Sequence, residues 1–158
     1  HTMTTYRNVE NTCRLAGIDP ASIPADIRAL PVVRNARLQK TVAQAVYSGP
    51  DREPARIEMG PRLDNANGQT LREVFAHEVA HLVAGYDADH GPHWKRIAMD
   101  LGCSGSKFAT PATIADIGSA YKVVAKCSDC GDELRRTRRL PKGRNYSHRG
   151  CGGRFVAV

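Results

Sequence analysis

Thr70-Leu71-Arg72-Glu73-Val74-Phe75-Ala76-His77-Glu78-Val79-Ala80-His81-Leu82-Val83-Ala84-Gly85 is a segment with a start, an apolar side and a stop. Thr70 followed three residues later by Glu73 has the form of a capping box that opens a helix. Leu71, Val74, Phe75, Val79, Leu82 and Val83 supply the apolar side, and Gly85 stands where a helix stops. On such a helix His77 and His81 share one face, roughly 6 Å apart along the axis at 1.5 Å per residue, so both imidazoles can reach one metal ion. Glu78, beside the first histidine, is placed to take a proton from a water on that metal, the arrangement of a hydrolytic zinc site.

A third ligand is expected downstream. His90, in His90-Gly91-Pro92-His93-Trp94-Lys95, lies nine residues after His81 and is favoured over His93. Asp87 is a weaker alternative, and no glutamate occurs between His81 and Glu133. Pro92 suits the first turn of a further helix with Trp94, Ile97, Ala98 and Leu101 inward and Gly102 at its end. His90 therefore precedes that helix, and the turn at Gly85 carries the chain back.

Upstream, residues 5 to 16 have helical spacing and stop at Gly17. Pro20, Pro24 and Pro31 keep the next stretch irregular. Residues 41–47 and 55–59 read as strands, which suggests a small, mainly antiparallel sheet. Residues 103–120 look like a connector with one short helical turn. The fold class expected is α+β, with a small antiparallel sheet packed on helices and a distinct C-terminal unit.

That unit is marked by cysteine and charge. Cys127 and Cys130 form one Cys-x2-Cys pair, and His148 and Cys151 a matching pair, the two separated by seventeen residues. Two such knuckles supply four tetrahedral ligands, a structural zinc site closed to substrate, with Gly131 and Gly152-Gly153 easing the turns. So short a unit has little core, so zinc is expected to supply most of its stability. Cys13 and Cys103 read as core thiols. Two zinc ions per chain follow, one catalytic and one structural.

The net charge of +7 is unevenly placed: residues 122–158 carry ten Lys and Arg against three Asp and Glu, and the remainder carries thirteen of each. Arg135, Arg136, Arg138, Arg139, Lys142 and Arg144 run between the knuckles with Tyr146. Guanidinium forks match phosphate oxygens and a tyrosine can stack on an unpaired base, so DNA is the expected partner, bound through its backbone. No run approaches the length of a membrane span. The start lacks the basic-then-apolar pattern of a secretory signal, and a cytoplasmic protein, nucleoid-associated if bacterial or phage, is expected. With no surplus apolar stripe, a monomer is the reading.

The order HExxH helix, His90-Gly91-Pro92-His93-Trp94-Lys95, then basic zinc ribbon resembles the SprT-like family, whose eukaryotic branch is Spartan. Arg56-Ile57-Glu58-Met59-Gly60-Pro61-Arg62-Leu63 before the helix adds to the likeness. The resemblance implies a zincin-like metallopeptidase domain over residues 3–120 and a zinc ribbon over 121–158. It also implies an endopeptidase acting on proteins bound or crosslinked to DNA, with His77, His81 and His90 as ligands and Glu78 as general base. The chain departs from it in a short segment between His81 and His90 and in His148, where many relatives carry cysteine. Two other readings stand beside it: a zinc-ribbon nucleic-acid adaptor without peptidase activity, and a metal-dependent ribonuclease of YbeY type, which uses three histidines but lacks the glutamate. Tyr47, Tyr86 and His93 are candidates for the oxyanion donor, Glu73 is a candidate to orient His77, and the strand before the active helix is expected to border the cleft.

Overall fold

The computed structural model describes residues 6–118, 121–136, 138–143 and 145–158. The chain divides after Gly118 into two compact units.

In the first unit, β1 (Arg7–Asn8), β2 (Pro31–Arg34), β3 (Ala43–Ser48) and β4 (Glu53–Met59) form one sheet in the order β1-β2-β4-β3. The outer pairings, β1 with β2 and β3 with β4, are antiparallel, whereas β2 and β4 run parallel. The sheet is thus mainly antiparallel, as expected, with one parallel pairing, β2 with β4, that the expectation did not include. Pro31, which has no N–H to give to a ladder, occupies the first position of its strand, where a proline is tolerated.

Helix α1 (Val9–Ala16) starts later than the periodicity suggests, because Asn8 caps it by accepting from the Asn11 N–H. The short α2 (Ala25–Arg28) follows, and then α3 (Gly68–Ala84), whose cap is Asn67, accepting from the Thr70 N–H. The capping box expected at Thr70 and Glu73 is therefore not formed, and Thr70 is buried within the first turn. Phe75, Ala76, Val79, Ala80 and Leu82 of α3 are buried against α1, β3 and α4 (Pro92–Asp100). Ile57 and Met59 of β4, with Val9, Cys13 and Trp94, complete this core. Cys13 and Cys103 are buried free thiols, as expected of core cysteines. The connector contains α5 (Pro111–Ile117), capped by Thr110.

The second unit is a sheet of β5 (Lys122–Cys127), β6 (Glu133–Arg136), β7 (Tyr146–Ser147) and β8 (Arg154–Ala157), antiparallel throughout in the order β6-β5-β8-β7. Among its described residues the buried hydrophobic ones are Val124, Ala125 and Cys127. No helix among the described residues is long and apolar enough to cross a membrane.

Candidate metal centres

Two segments deliver three imidazoles to one point. Helix α3 carries His77 and His81 one turn apart and ends at Gly85, whose φ of 95° a side chain would resist. A 3-10 turn over Tyr86–Ala88 reverses the chain, and Asp89 at φ 46°, ψ −131° directs it into His90 and the cap of α4. The Nε2 atoms of His77 and His81 are 3.2 Å apart, those of His81 and His90 3.0 Å, and those of His90 and His77 3.2 Å. Three imidazole nitrogens this close cannot all satisfy one another as donor and acceptor. A cation would resolve the conflict: tetrahedral zinc with zinc–nitrogen bonds of about 2.0–2.1 Å needs ligand nitrogens roughly 3.3 Å apart. The residues present fit zinc, which His77, His81 and His90 would hold.

The shell behind the ligands is built from residues that the sequence motif does not flag. The fully buried Trp94 ring packs 4.7 Å from His77, 5.4 Å from His81 and 4.7 Å from His90, and its indole N–H donates to the His77 carbonyl at 3.2 Å. His90 Nδ1 lies 3.3 Å from Asp89 Oδ1, and His77 hydrogen-bonds the Ser106 backbone. Such contacts fix which ring nitrogen faces the metal. Asp89 adjoins its histidine in sequence, and Trp94 follows His90 by four residues, so both were visible as neighbours though not as partners. His93 is exposed on α4 and stands outside the cluster.

Burial, reinforced for His77 by His90 and for His81 by both other imidazoles, lowers His77 and His81 to about 4. Both are neutral at pH 7, the form a metal requires. Glu78 is buried with Oε1 3.9 Å from His77 Nε2. Burial pushes its carboxyl up to about 8, opposed by a backbone hydrogen bond from Ala45. A dication held by the three histidines would favour the carboxylate and oppose the effect of burial.

Glu78, His77, His81 and His90 line a cavity of about 610 Å³. Its far wall is Ala43, Gln44, Ala45 and Tyr47, all on β3. The strand at the cleft is thus the sheet's edge strand β3, and not β4, which directly precedes the helix and lies inside the sheet. Tyr47 and Tyr86 line the cavity, while His93 does not. The Tyr47 hydroxyl donates to the His81 carbonyl at 2.6 Å, and burial followed by the nearby Glu78 raises it to about 12. Glu73 does not orient His77: its carboxylate accepts from the Ser104 N–H at 2.8 Å and from the Ser104 hydroxyl, tying α3 to the segment after α4.

The SprT-like family model matches residues 23–115, more than half of the chain, and spans all three histidines and Glu78. The chain belongs to the SprT-like family. No curated protein and no solved structure matches it. SprT-like proteins are a metallopeptidase-like family, which agrees with a three-histidine centre beside a buried glutamate.

The second centre of this SprT-like chain lies outside the matched residues and stands on its own geometry. Cys127 Sγ is 3.4 Å from Cys151 Sγ, and His148 Nδ1 is 3.2 Å from Cys130 Sγ and 3.1 Å from Cys151 Sγ. The sulfurs are too far apart for a disulfide and suitably placed for one tetrahedral ion. The set is compatible with a zinc ribbon. A backbone hydrogen bond from Cys130, and after it one from Asp129, lower the Cys127 thiol to about 6, toward the thiolate that binds metal. Asp132 Oδ2 sits 3.4 Å from His148 Nε2 and directs the other ring nitrogen to the sulfurs.

Of the basic residues, Arg135 and Arg136 are exposed on β6, with Arg135 3.2 Å from Glu133. Arg138, Arg139 and Lys142 are exposed, and Tyr146 is half-buried on β7. Arg144 lies outside the described residues.

Proposed function

We propose that this chain is a zinc-dependent endopeptidase with a zincin-like core, acting as a monomer on proteins bound or crosslinked to DNA. The observation that carries the reading is the convergence of three Nε2 atoms within 3.0–3.2 Å, with the Glu78 carboxyl alongside and a cleft open in front. Zinc held there would supply acidification of a water from a pKa of about 15.7 toward 7 and polarisation of the scissile carbonyl. Glu78 takes the proton from the attacking water and returns it to the leaving amine, a role helped by a carboxyl that burial keeps ready to hold a proton at neutral pH. The edge strand β3 offers unpaired backbone groups to an extended substrate. The donor to the developing oxyanion is Tyr86, since the Tyr47 hydroxyl, the other in the cleft wall, already donates its one proton to the His81 carbonyl. His77, His81 and His90 hold the catalytic ion; Cys127, Cys130, His148 and Cys151 hold the structural one.

The DNA part of the reading is supported by the concentration of the basic excess in residues 122–158. The test is Glu78→Gln, assayed for zinc content, DNA affinity and cleavage of a DNA-bound protein. The variant is expected to keep two zincs and its DNA affinity and to lose cleavage by roughly 10²–10⁴-fold. Equal cleavage by wild type and variant would remove the peptidase and leave a zinc-ribbon DNA adaptor.

A further inference from the structure

Arg52 stands in the turn that joins β3 to β4, with its backbone at φ 52° and its N–H donating to the Gly49 carbonyl at 3.2 Å. Its guanidinium lies over the Tyr86 ring, 4.0 Å from the centroid. We infer that Arg52 is a positioning residue for the reaction: it clamps the Tyr86 ring in the cleft wall and so keeps the Tyr86 hydroxyl available to the oxyanion. The inference rests on the peptidase reading and adds to it a residue outside the lining of the cleft.

The situation of Tyr86 calls for a clamp. The residue is 48% exposed and sits on a single 3-10 turn, Tyr86–Ala88. It lines both the main cleft and a neighbouring cavity of about 550 Å³ bounded by residues 50–52 and 84–88. A side chain between two open volumes can change rotamer from one into the other. A donor to developing charge works only when it is in place beforehand, so a ring that swings away loses catalysis. Tyr47 supplies one contact, edge-on at 5.4 Å between centroids and 87° between planes, and is itself fixed by its bond to the His81 carbonyl. The Arg52 guanidinium supplies the other.

The backbone of Arg52 is a second, independent observation. A left-handed φ suits glycine or asparagine, and a long side chain is held there at a cost. Among the described residues the non-glycine positions with positive φ are Arg7, Arg52 and Asp89. Asp89 has a reason in the site, since it directs the chain into His90 and lies 3.3 Å from the Nδ1 of that residue. Arg52 has one of the same kind. Strain of this sort persists where the side chain acts on a site, and a planar cation that stacks on an aromatic face is what glycine or asparagine would lack. The positive charge also has the sign that favours an oxyanion nearby.

A cation–π contact at an exposed site corresponds to about two- to five-fold in the population of the held ring. The experiment uses the full zinc-loaded chain and a fluorogenic peptide built on a cleavage site mapped in a denatured protein. Tyr86→Phe, which keeps the ring and removes the hydroxyl, is expected to lower kcat by roughly 10²–10³-fold. Arg52→Asn is expected to lower kcat about two- to five-fold with KM unchanged, while Tm stays level or rises because the turn is relieved. Arg52→Lys, which keeps a cation able to reach the ring, should fall between the two. In the Tyr86→Phe background Arg52→Asn is expected to change kcat no further. A reading without turnover comes from NMR of the tyrosine-labelled chain: the ring signals of Tyr86, assigned by their loss in Tyr86→Phe, should shift in Arg52→Asn. An undiminished kcat in Arg52→Asn, a fall that persists in the Tyr86→Phe background, a fall that tracks a lowered Tm, or Tyr86 signals that stay in place would each overturn the clamp and leave the peptidase intact. Cleavage by Tyr86→Phe at the wild-type rate would overturn the clamp together with the donor assignment, and absence of any cleavage by wild type would overturn clamp and peptidase alike.

Discussion

Gly153→Ala should cost the second centre its metal while leaving the first one alone. A Cβ at position 153 would stand 2.7 Å from Cys127 Sγ and 2.9 Å from Asp129 Cβ and Cγ. Favourable carbon contacts begin near 3.5 Å, so the overlap is about 0.8 Å at the proposed ligand Cys127 and about 0.6 Å at its knuckle. Overpacking of this order costs about 1–3 kcal/mol. The distortion acts on the liganding geometry itself, so that cost should appear as zinc affinity weakened about five- to 150-fold, at 1.4 kcal/mol per tenfold. The neighbour supplies the control. Gly152 has φ 77° and nothing within 4 Å of a built Cβ, so Gly152→Asn, a residue that tolerates the left-handed region, should hold zinc within about threefold of wild type. Chelator competition on the intact chain reads both, with the three-histidine site as internal reference. Wild-type affinity in Gly153→Ala, or a loss no greater than in Gly152→Asn, would refute the steric account.

After zinc is stripped by chelator, the buried His77 and His81 remain near 4 in the folded chain against about 6.5 when unfolded. The unfolded chain therefore binds more protons between these values, and stability present above pH 6.5 is lost as pH falls through about 4. Urea midpoints across that window should fall more steeply than in a His77→Asn, His81→Asn variant, and parallel slopes would refute this. Glu58 accepts from Asn35 at 2.9 Å, Gln44 at 2.7 Å and Arg56 at 2.8 Å, and the Asn35 bond leads in holding its carboxyl below the usual range. Glu58→Ala leaves these donors unmatched at a cost of about 1–3 kcal/mol, a Tm fall of roughly 4–15 °C by calorimetry, with Glu58→Gln costing less. Arg138→Ala with Arg139→Ala should weaken DNA binding alike across sequences and flatten the log–log salt slope by up to about 2; an unchanged slope would make the strip a solvated face only.

What the sequence made legible were the features fixed by local spacing. His77 and His81 four apart, the stop at Gly85, Pro92 at a helix start and the glycines of the two knuckles all follow from geometry within a few residues. The helix start differs because Thr70 and Glu73 match the spacing of a capping box, although Asn67 is the cap and Gly68 the first helical residue. Glu73 then becomes available to Ser104, a partner thirty-one residues away that no local pattern indicates. The same limit applies to the sheet. Pro31–Arg34 pairs with β4 in parallel across a long stretch of chain, and local alternation is silent about such a partner. His90 and His93 were separable only once Asp89 and Gly91 had set the direction of the chain between them. The supporting roles of Trp94 and Asp132 are tertiary and carry no spacing signature.

The two centres differ in what precedes the metal. His77 and His81 stand on a helix whose Phe75, Ala76, Val79 and Ala80 are fully buried, above a fully buried Trp94, so a core unconnected with metal holds the imidazoles in place. In the second unit the described buried hydrophobic residues are Val124, Ala125 and Cys127, and Cys127 is itself a ligand. The apolar surface buried among these described residues is too little to offset chain entropy, so on the proposed function binding metal and folding would be a single event. Strand β6, which carries Arg135 and Arg136, pairs with β5, the strand that ends at Cys127. On the proposed function, zinc at the cysteines therefore governs whether the chain can hold DNA, and zinc at the histidines whether it can cut. On that reading the cysteine set would close all four positions of a tetrahedral ion and the histidine set would leave one, so the same element would serve as scaffold in one unit and as reagent in the other.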